Sequence, residues 1–293
     1  PACMQSGEAW PPWSPAGPTS EDCLTLNVWS PEGGQGLPVM VWIHGGGWSA
    51  GSAAIAAYDG AALARRGVVL VTLNYRVGPF GFMAHPALTA EAGGTSGNYG
   101  LMDQIAALEW VQANIAAFGG DPARVTVFGQ SAGAMSIALL SVAPRARGLF
   151  AQMIAESGGV FIPPAISPEA ARFGLAGAEE QGAAFAATLR APDLAALRAL
   201  PAEQIAGAKG AGGFHFILDG TLLPEEPYVA YKAGRQAMAP ILLGANEDEG
   251  FSFFDVDTVT AANFPDGLSA SLGMLPPALL AAYPARTDRD AKT

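Results

Sequence analysis

Only three histidines and two cysteines occur in 293 residues. No histidine or further cysteine lies near Cys3 or Cys23 in the chain, so there is no zinc-binding cluster to read and no metal or cofactor is expected. Basic residues are scarce as well: 15 Lys plus Arg stand against 26 Asp plus Glu, a formal net charge of −11. That balance argues against nucleic acid or anionic lipid as the main partner. No stretch of eighteen purely apolar residues appears, so no membrane span is expected. Residues 1–20 also lack the basic start and apolar middle of a secretion signal. What is abundant is apolar mass: 50% hydrophobic content fills a sizeable core and excludes disorder, in one large α/β domain or two small ones.

Cys3 and Cys23 bracket a Pro-rich stretch with no strand pattern inside it. Such a lone pair is a disulfide candidate, contributing roughly 3 kcal/mol by chain entropy. A bond there points to a secreted or periplasmic protein; two unrelated thiols in a cytoplasmic enzyme are the alternative.

Buried strands are legible as continuous β-branched or aromatic runs at "PVMVWI", "VVLVTL" and "RVTVFG". Between the last two, Leu101, Ile105, Leu108, Val111, Ile115 and Phe118 recur at steps of three or four. This is one apolar helical face, closed by Gly119, Gly120 and Pro122. A helix follows from about Ala132 to Ser141, and "FAQMIAESGG" and "APILLGANEDEG" are two more apolar runs ending in polar turns. Alternation of strands and helices predicts an α/β fold, a mostly parallel central sheet flanked by helices, with function at the C-terminal ends of the strands. From about 160 to 217 the composition shifts to Ala, Glu and Gly. Helix starts at Ser167-Pro168-Glu169 and at Asp193 suggest a helical insertion there, and 255–293 reads as the start of a further helical cap region.

Gly129-Gln130-Ser131-Ala132-Gly133 fits G-x-S-x-G between a strand and a helix. A serine there is held on a strained turn with its oxygen projecting above the sheet, and the two glycines let strand and helix come close. A serine nucleophile creates an oxyanion that needs preorganised N–H donors. His44-Gly45-Gly46-Gly47 offers them, and with the helix-start amide the expected donors are Gly46, Gly47 and Ala132. The segment "GGGWSAGS" lacks the G-K-[ST] ending of a phosphate loop.

The stretches "SEDCLTLNVWSP", "PVMVWIHGGGW", "VTLNYRVGPFGF", "GNYGLMDQIAALEWVQANIAAFGGDPARVTVFGQSAGA" and "GANEDEGFSFF" resemble the type-B carboxylesterases, which include bacterial p-nitrobenzyl esterases and cholinesterases. The similarity runs from Cys3 to about Phe254. It implies an α/β-hydrolase fold acting on small-molecule esters, with a Ser, Glu, His triad in that chain order. Ser131 matches the nucleophile and Glu249 the acid, with Glu247 and Asp248 as turn neighbours. It also implies buried ion pairing by Glu21, Arg76 and Asp121, and a hydroxyl near the acid at Ser157, for which a strand-end cap is an equally simple reading. Trp48, Phe214 and Phe251 are candidates for a pocket wall, with core packing as the default. The family's histidine follows the acid, and no histidine follows Glu249 in this chain. His44 reads as structural, His85 as part of a surface loop, and His215 as an interior or pocket-lining residue at the start of a strand-like segment. With the methionine-free start and the ending "TDRDAKT", this predicts an internal piece of a longer esterase, truncated at both ends, with very weak turnover on its own. The opposing class is a catalytically incompetent hydrolase-fold binding or adhesion module. Such modules commonly lose the serine, the acid or the glycine loop, and all three are present here. The pattern carries no signal of oligomeric state.

Overall fold

Runs of Val, Ile and Leu form the strands where the periodicity places them. The structure, a computed structural model, describes residues 1–6, 17–159, 177–247, 249, 255–267 and 277–292. It divides into two units, Pro1–Gly244 and Ala245–Thr293. In the first unit a short parallel pair, β1 (Ala2–Cys3) and β2 (Thr19–Ser20), precedes the main sheet. That sheet contains β3 (Leu26–Trp29), β4 (Leu37–Ile43), β5 (Val69–Leu73), β6 (Gly120–Gln130), β7 (Gln152–Glu156) and β8 (Ile241–Gly244), in the order β3-β5-β4-β6-β7-β8. Among the described residues only β3 runs antiparallel to its neighbour in this sheet; β4, β5, β6, β7 and β8 pair in parallel.

β5 is buried along its whole length, which explains why its sequence does not alternate. On β4, Val39, Val41 and Ile43 are fully enclosed, while Trp42 on the other face packs against Tyr58 and Phe128 at 4.9 Å each. Both faces of the sheet are therefore covered at β4 and β5, whereas the edge strand β8 is exposed along its length. The Ala132–Val142 helix lies over β4, β6 and β7, and the Tyr99–Asn114 helix lies against β6. Leu101, Ile105, Leu108, Val111 and Ile115 are all buried, as their spacing requires. Phe118 is an exception, 42% exposed. The chain tightens into a 3₁₀ turn over Ile115–Phe118 before the left-handed Gly119, which turns that ring off the apolar stripe and onto Trp110.

Asp193 caps its helix, Leu194–Arg198, by accepting from the Ala196 N–H at 2.8 Å. Further helices span Ala178–Thr188 and Ala202–Ala206, while the Ser167-Pro168-Glu169 helix start lies outside the described residues. The segment at His215 forms no strand. Asn98 intercepts its backbone, donating to the Ile217 carbonyl at 2.8 Å and accepting from the Ile217 N–H at 2.9 Å. The second unit carries short helices at Pro277–Ala282 and Asp288–Lys292. Among the described residues no helix is long and apolar enough to cross a membrane.

Candidate active site

β6 ends at Gln130 and the next helix begins at Ala132, so Ser131 has to reverse the chain alone. It does so at φ 54° and ψ −123°, a conformation that costs a non-glycine residue of the order of 1–3 kcal/mol and is found where surrounding contacts enforce it. Here the enforcing contacts are backbone. The Ser131 N–H donates to the Glu156 carbonyl at 2.9 Å and its carbonyl accepts from the Met135 N–H at 2.9 Å. Gly129 and Gly133 let the turn close: a β-carbon at Gly129 would stand 2.6 Å from the Ile43 carbonyl oxygen, and one at Gly133 only 2.1 Å from the same atom. Ser131 is half-buried, its hydroxyl does not cap the helix, and no partner for it is found among the described residues.

The glycine loop lies against this corner. A β-carbon on Gly45 would fall 3.3 Å from the Ser131 Cβ and 2.8 Å from the Gln130 carbonyl. Gly46 and Gly47 take φ of 108° and 60°, both in the left-handed region, and both are exposed. Their N–H groups make no hydrogen bond among the described residues. The Gly46 carbonyl, by contrast, closes the turn by accepting from the N–H groups of Ser49 and Ala50, each at 3.0 Å. Together with the start of the helix at Ala132, the loop leaves backbone donors beside a serine.

His44 is fully enclosed beneath the loop, its ring stacked on Tyr75 at 4.2 Å. Its Nδ1 is 2.8 Å from the Gly45 carbonyl, which can only accept, so Nδ1 carries the proton. Burial pushes its pKa down to about 4 against the opposing pull of that bond, and the imidazole is neutral. The unfolded chain, with an ordinary histidine, binds a proton below about pH 6.5 that the folded chain refuses until about pH 4. Stability is therefore held above pH 6.5 and lost as pH falls through this window. From pH 6.5 to 5, above the carboxylate range, His44 should remove about 2 kcal/mol, and His215, also lowered by burial, adds in the same direction. Urea unfolding curves at the two pH values check this; equal midpoints would contradict it.

The other residues singled out by the sequence sort by what they touch, beginning with the implied ion pairs. Arg76 makes a bidentate pair with Asp103, at 2.8 and 2.7 Å, and its own N–H adds a third bond to that carboxylate. Glu21 is exposed instead, and Asp121, near the start of β6, accepts from the Ala123 N–H. His85 lies in the short connection before the Pro86–Ala92 helix, where it is half-buried and caps that helix through Nδ1. His215 packs near Trp48 with Nδ1 on the Phe216 carbonyl at 2.9 Å. Trp48 and Phe214 are buried, Phe214 edge-on to Phe185; Phe251 and Asp248 lie outside the described residues. Ser157, at φ 54°, donates its N–H to Gly244 at 2.7 Å. In the second unit Glu249 accepts from the N–H and side-chain amide of Asn246, at 3.0 and 3.2 Å.

Residues that carried no sequence signal hold this corner together. Ser136 accepts from Trp48 Nε1 at 3.0 Å and from Gln104 Nε2 at 3.3 Å, tying the glycine loop to two helices. Asn74 bonds Ala53, Pro1 and Cys23. Cys3 and Cys23 form a disulfide with their Cα atoms 4.9 Å apart.

A sequence profile of the carboxylesterase family matches residues 1–268. The chain belongs to the carboxylesterase family. It is 45% identical over 286 residues to a fumonisin B1 esterase of Sphingopyxis macrogoltabida, covering 94% of this chain and 52% of that protein. It is 46% identical over 246 residues to a para-nitrobenzyl esterase of Bacillus subtilis (strain 168), covering 82% and 49%. Over 282 residues it is 39% identical to a mouse cholinesterase, covering 88% and 45%. A solved structure of PNB esterase superposes with a TM-score of 0.81 at 38% identity, covering 100% of this chain and 61% of that one. The fold of this carboxylesterase-family chain is the α/β-hydrolase fold, and the chain spans about half the length of the curated relatives it matches.

Proposed function

We propose that the protein carrying this chain is a serine carboxylesterase that hydrolyses uncharged, small-molecule carboxylic esters through an acyl-enzyme. One observation carries the reading: an uncapped serine hydroxyl on a strained strand-to-helix turn, beside a glycine loop whose two N–H groups are unused. Ser131 Oγ attacks the ester carbonyl, and the N–H groups of Gly46, Gly47 and Ala132 receive the oxyanion. The serine proton passes to a general base and on to the leaving alcohol, and water then releases the acid. His44 is sealed in the core, His85 caps a helix and His215 is bonded to its neighbour's carbonyl. The base in this proposal is therefore a histidine in the part of the relatives' length that this chain does not span, oriented by Glu249. We assign 160–217 to a helical insertion and 255–293 to the start of a cap region. The buried disulfide supports an exported, periplasmic or secreted setting.

A slowly released acyl group tests the mechanism. With p-nitrophenyl dimethylcarbamate, the intact protein should gain one carbamoyl group per chain as one equivalent of p-nitrophenolate appears. Continuous ester hydrolysis with no covalent adduct at any time would contradict it.

A further inference from the structure

The glycine loop is braced from behind by a residue far away in sequence. Gln5, only 8% exposed, reads both backbone groups of Gly51: Nε2 donates to its carbonyl at 2.9 Å, and its N–H donates to Oε1 at 2.9 Å. A third bond runs from Nε2 to the Cys3 carbonyl at 3.0 Å, and Cys3 is fixed by its disulfide to Cys23. Gly51 in turn has no slack. At φ 118°, a β-carbon there would stand 2.3 Å from His44 Nδ1 and 2.7 Å from the Gly45 carbonyl. A β-carbon on Gly46 would stand 2.2 Å from the carbonyl of Ala50, the residue before Gly51. The 50–51 peptide is thus the wall on which Gly45 and Gly46 rest.

We propose that Gln5 is a positioning residue for the oxyanion donors, holding the Ala50–Gly51 wall in place from a segment stapled by Cys3–Cys23. The inference rests on the esterase reading of the same site. Its physical basis is that a donor aimed at developing charge helps only while its position is held, so a small shift of Gly46 and Gly47 weakens the transition state more than the substrate complex.

The test uses the full protein with Gln5→Met, which keeps volume and removes the three bonds, and the pair Cys3→Ser/Cys23→Ser, which frees the segment. Gln5→Met should lower kcat for p-nitrophenyl acetate by about 10- to 100-fold with KM within about twofold. Affinity for a trifluoromethyl ketone, which mimics the tetrahedral oxyanion, should fall by the same factor. The serine pair should lower kcat in the same direction, and adding Gln5→Met to it should cost little more. A folded Gln5→Met with wild-type kcat and ketone affinity overturns the proposal even if its melting temperature drops. Failure of both variants to fold would assign Gln5 to stability alone and overturn it as well. Ser131→Ala separates the two ideas. If it stays active, the esterase reading of this site fails. If it is dead while Gln5→Met is unimpaired, only the Gln5 inference fails.

Discussion

Ser131→Ala should lower kcat/KM for a neutral ester by about five to six orders of magnitude while leaving the fold and its melting temperature nearly unchanged. The stability half of that expectation follows from the hydroxyl's surroundings: it does not cap the helix, and no partner for it is found among the described residues. Removing it strands no buried group. Alanine takes the same φ of 54° at a similar cost, held by the same bonds to Glu156 and Met135. The activity half follows from the absence of any substitute. A methyl group cannot attack, and the donors at Gly46, Gly47 and Ala132 can only polarise the ester toward water. Steady-state kinetics on enzyme shown to be folded by circular dichroism would check both halves. Retention of more than about 1% of the activity would move the nucleophile elsewhere.

Gly133→Ala should be strongly destabilising. The new methyl would sit 2.1 Å from the Ile43 carbonyl oxygen and 3.0 Å from that of His44. Both are backbone atoms of β4 and its exit, with no rotamer to escape into. Relief requires the helix to lift off the strand and carry Ser131 with it. The expected cost is about 4 kcal/mol or more, and an insoluble product would fit the same clash. Gly94→Ala is the control: Gly94 has nothing within 4 Å of the new carbon and no positive φ, so it should change stability by less than about 0.5 kcal/mol. Urea midpoints of the two variants side by side decide the point, and equal values would show that the crossing is not tight.

These positions also show how much was legible in the sequence. The strand-serine-helix corner and the buried face from Leu101 to Ile115 follow from local rules, since periodicity and glycine placement act over a few residues. The glycine run His44-Gly45-Gly46-Gly47 marked itself as a donor loop, but its place beside Ser131 is set by the fold. The sequence misled where tertiary context decided. Phe118 continues the helical spacing, yet a 3₁₀ turn rotates it to the surface. "FHFILD" has strand-like composition, yet Asn98 takes the bonds that a neighbouring strand would have supplied. Of the three residues expected in ion pairs, Arg76 does form one, with Asp103 at the start of the Tyr99–Asn114 helix, whereas Glu21 is exposed and Asp121 bonds the Ala123 N–H. Gln5 had no periodicity or motif to mark it. Its importance lies in a contact across 46 residues.

The most direct measurement is where a fluorophosphonate attaches to the full-length protein. After complete inactivation and tryptic digestion, the account requires one adduct per chain, on Ser131 in the peptide spanning residues 125–145, and none in Ser131→Ala. An adduct on any other residue, or full esterase activity surviving without one, would contradict it.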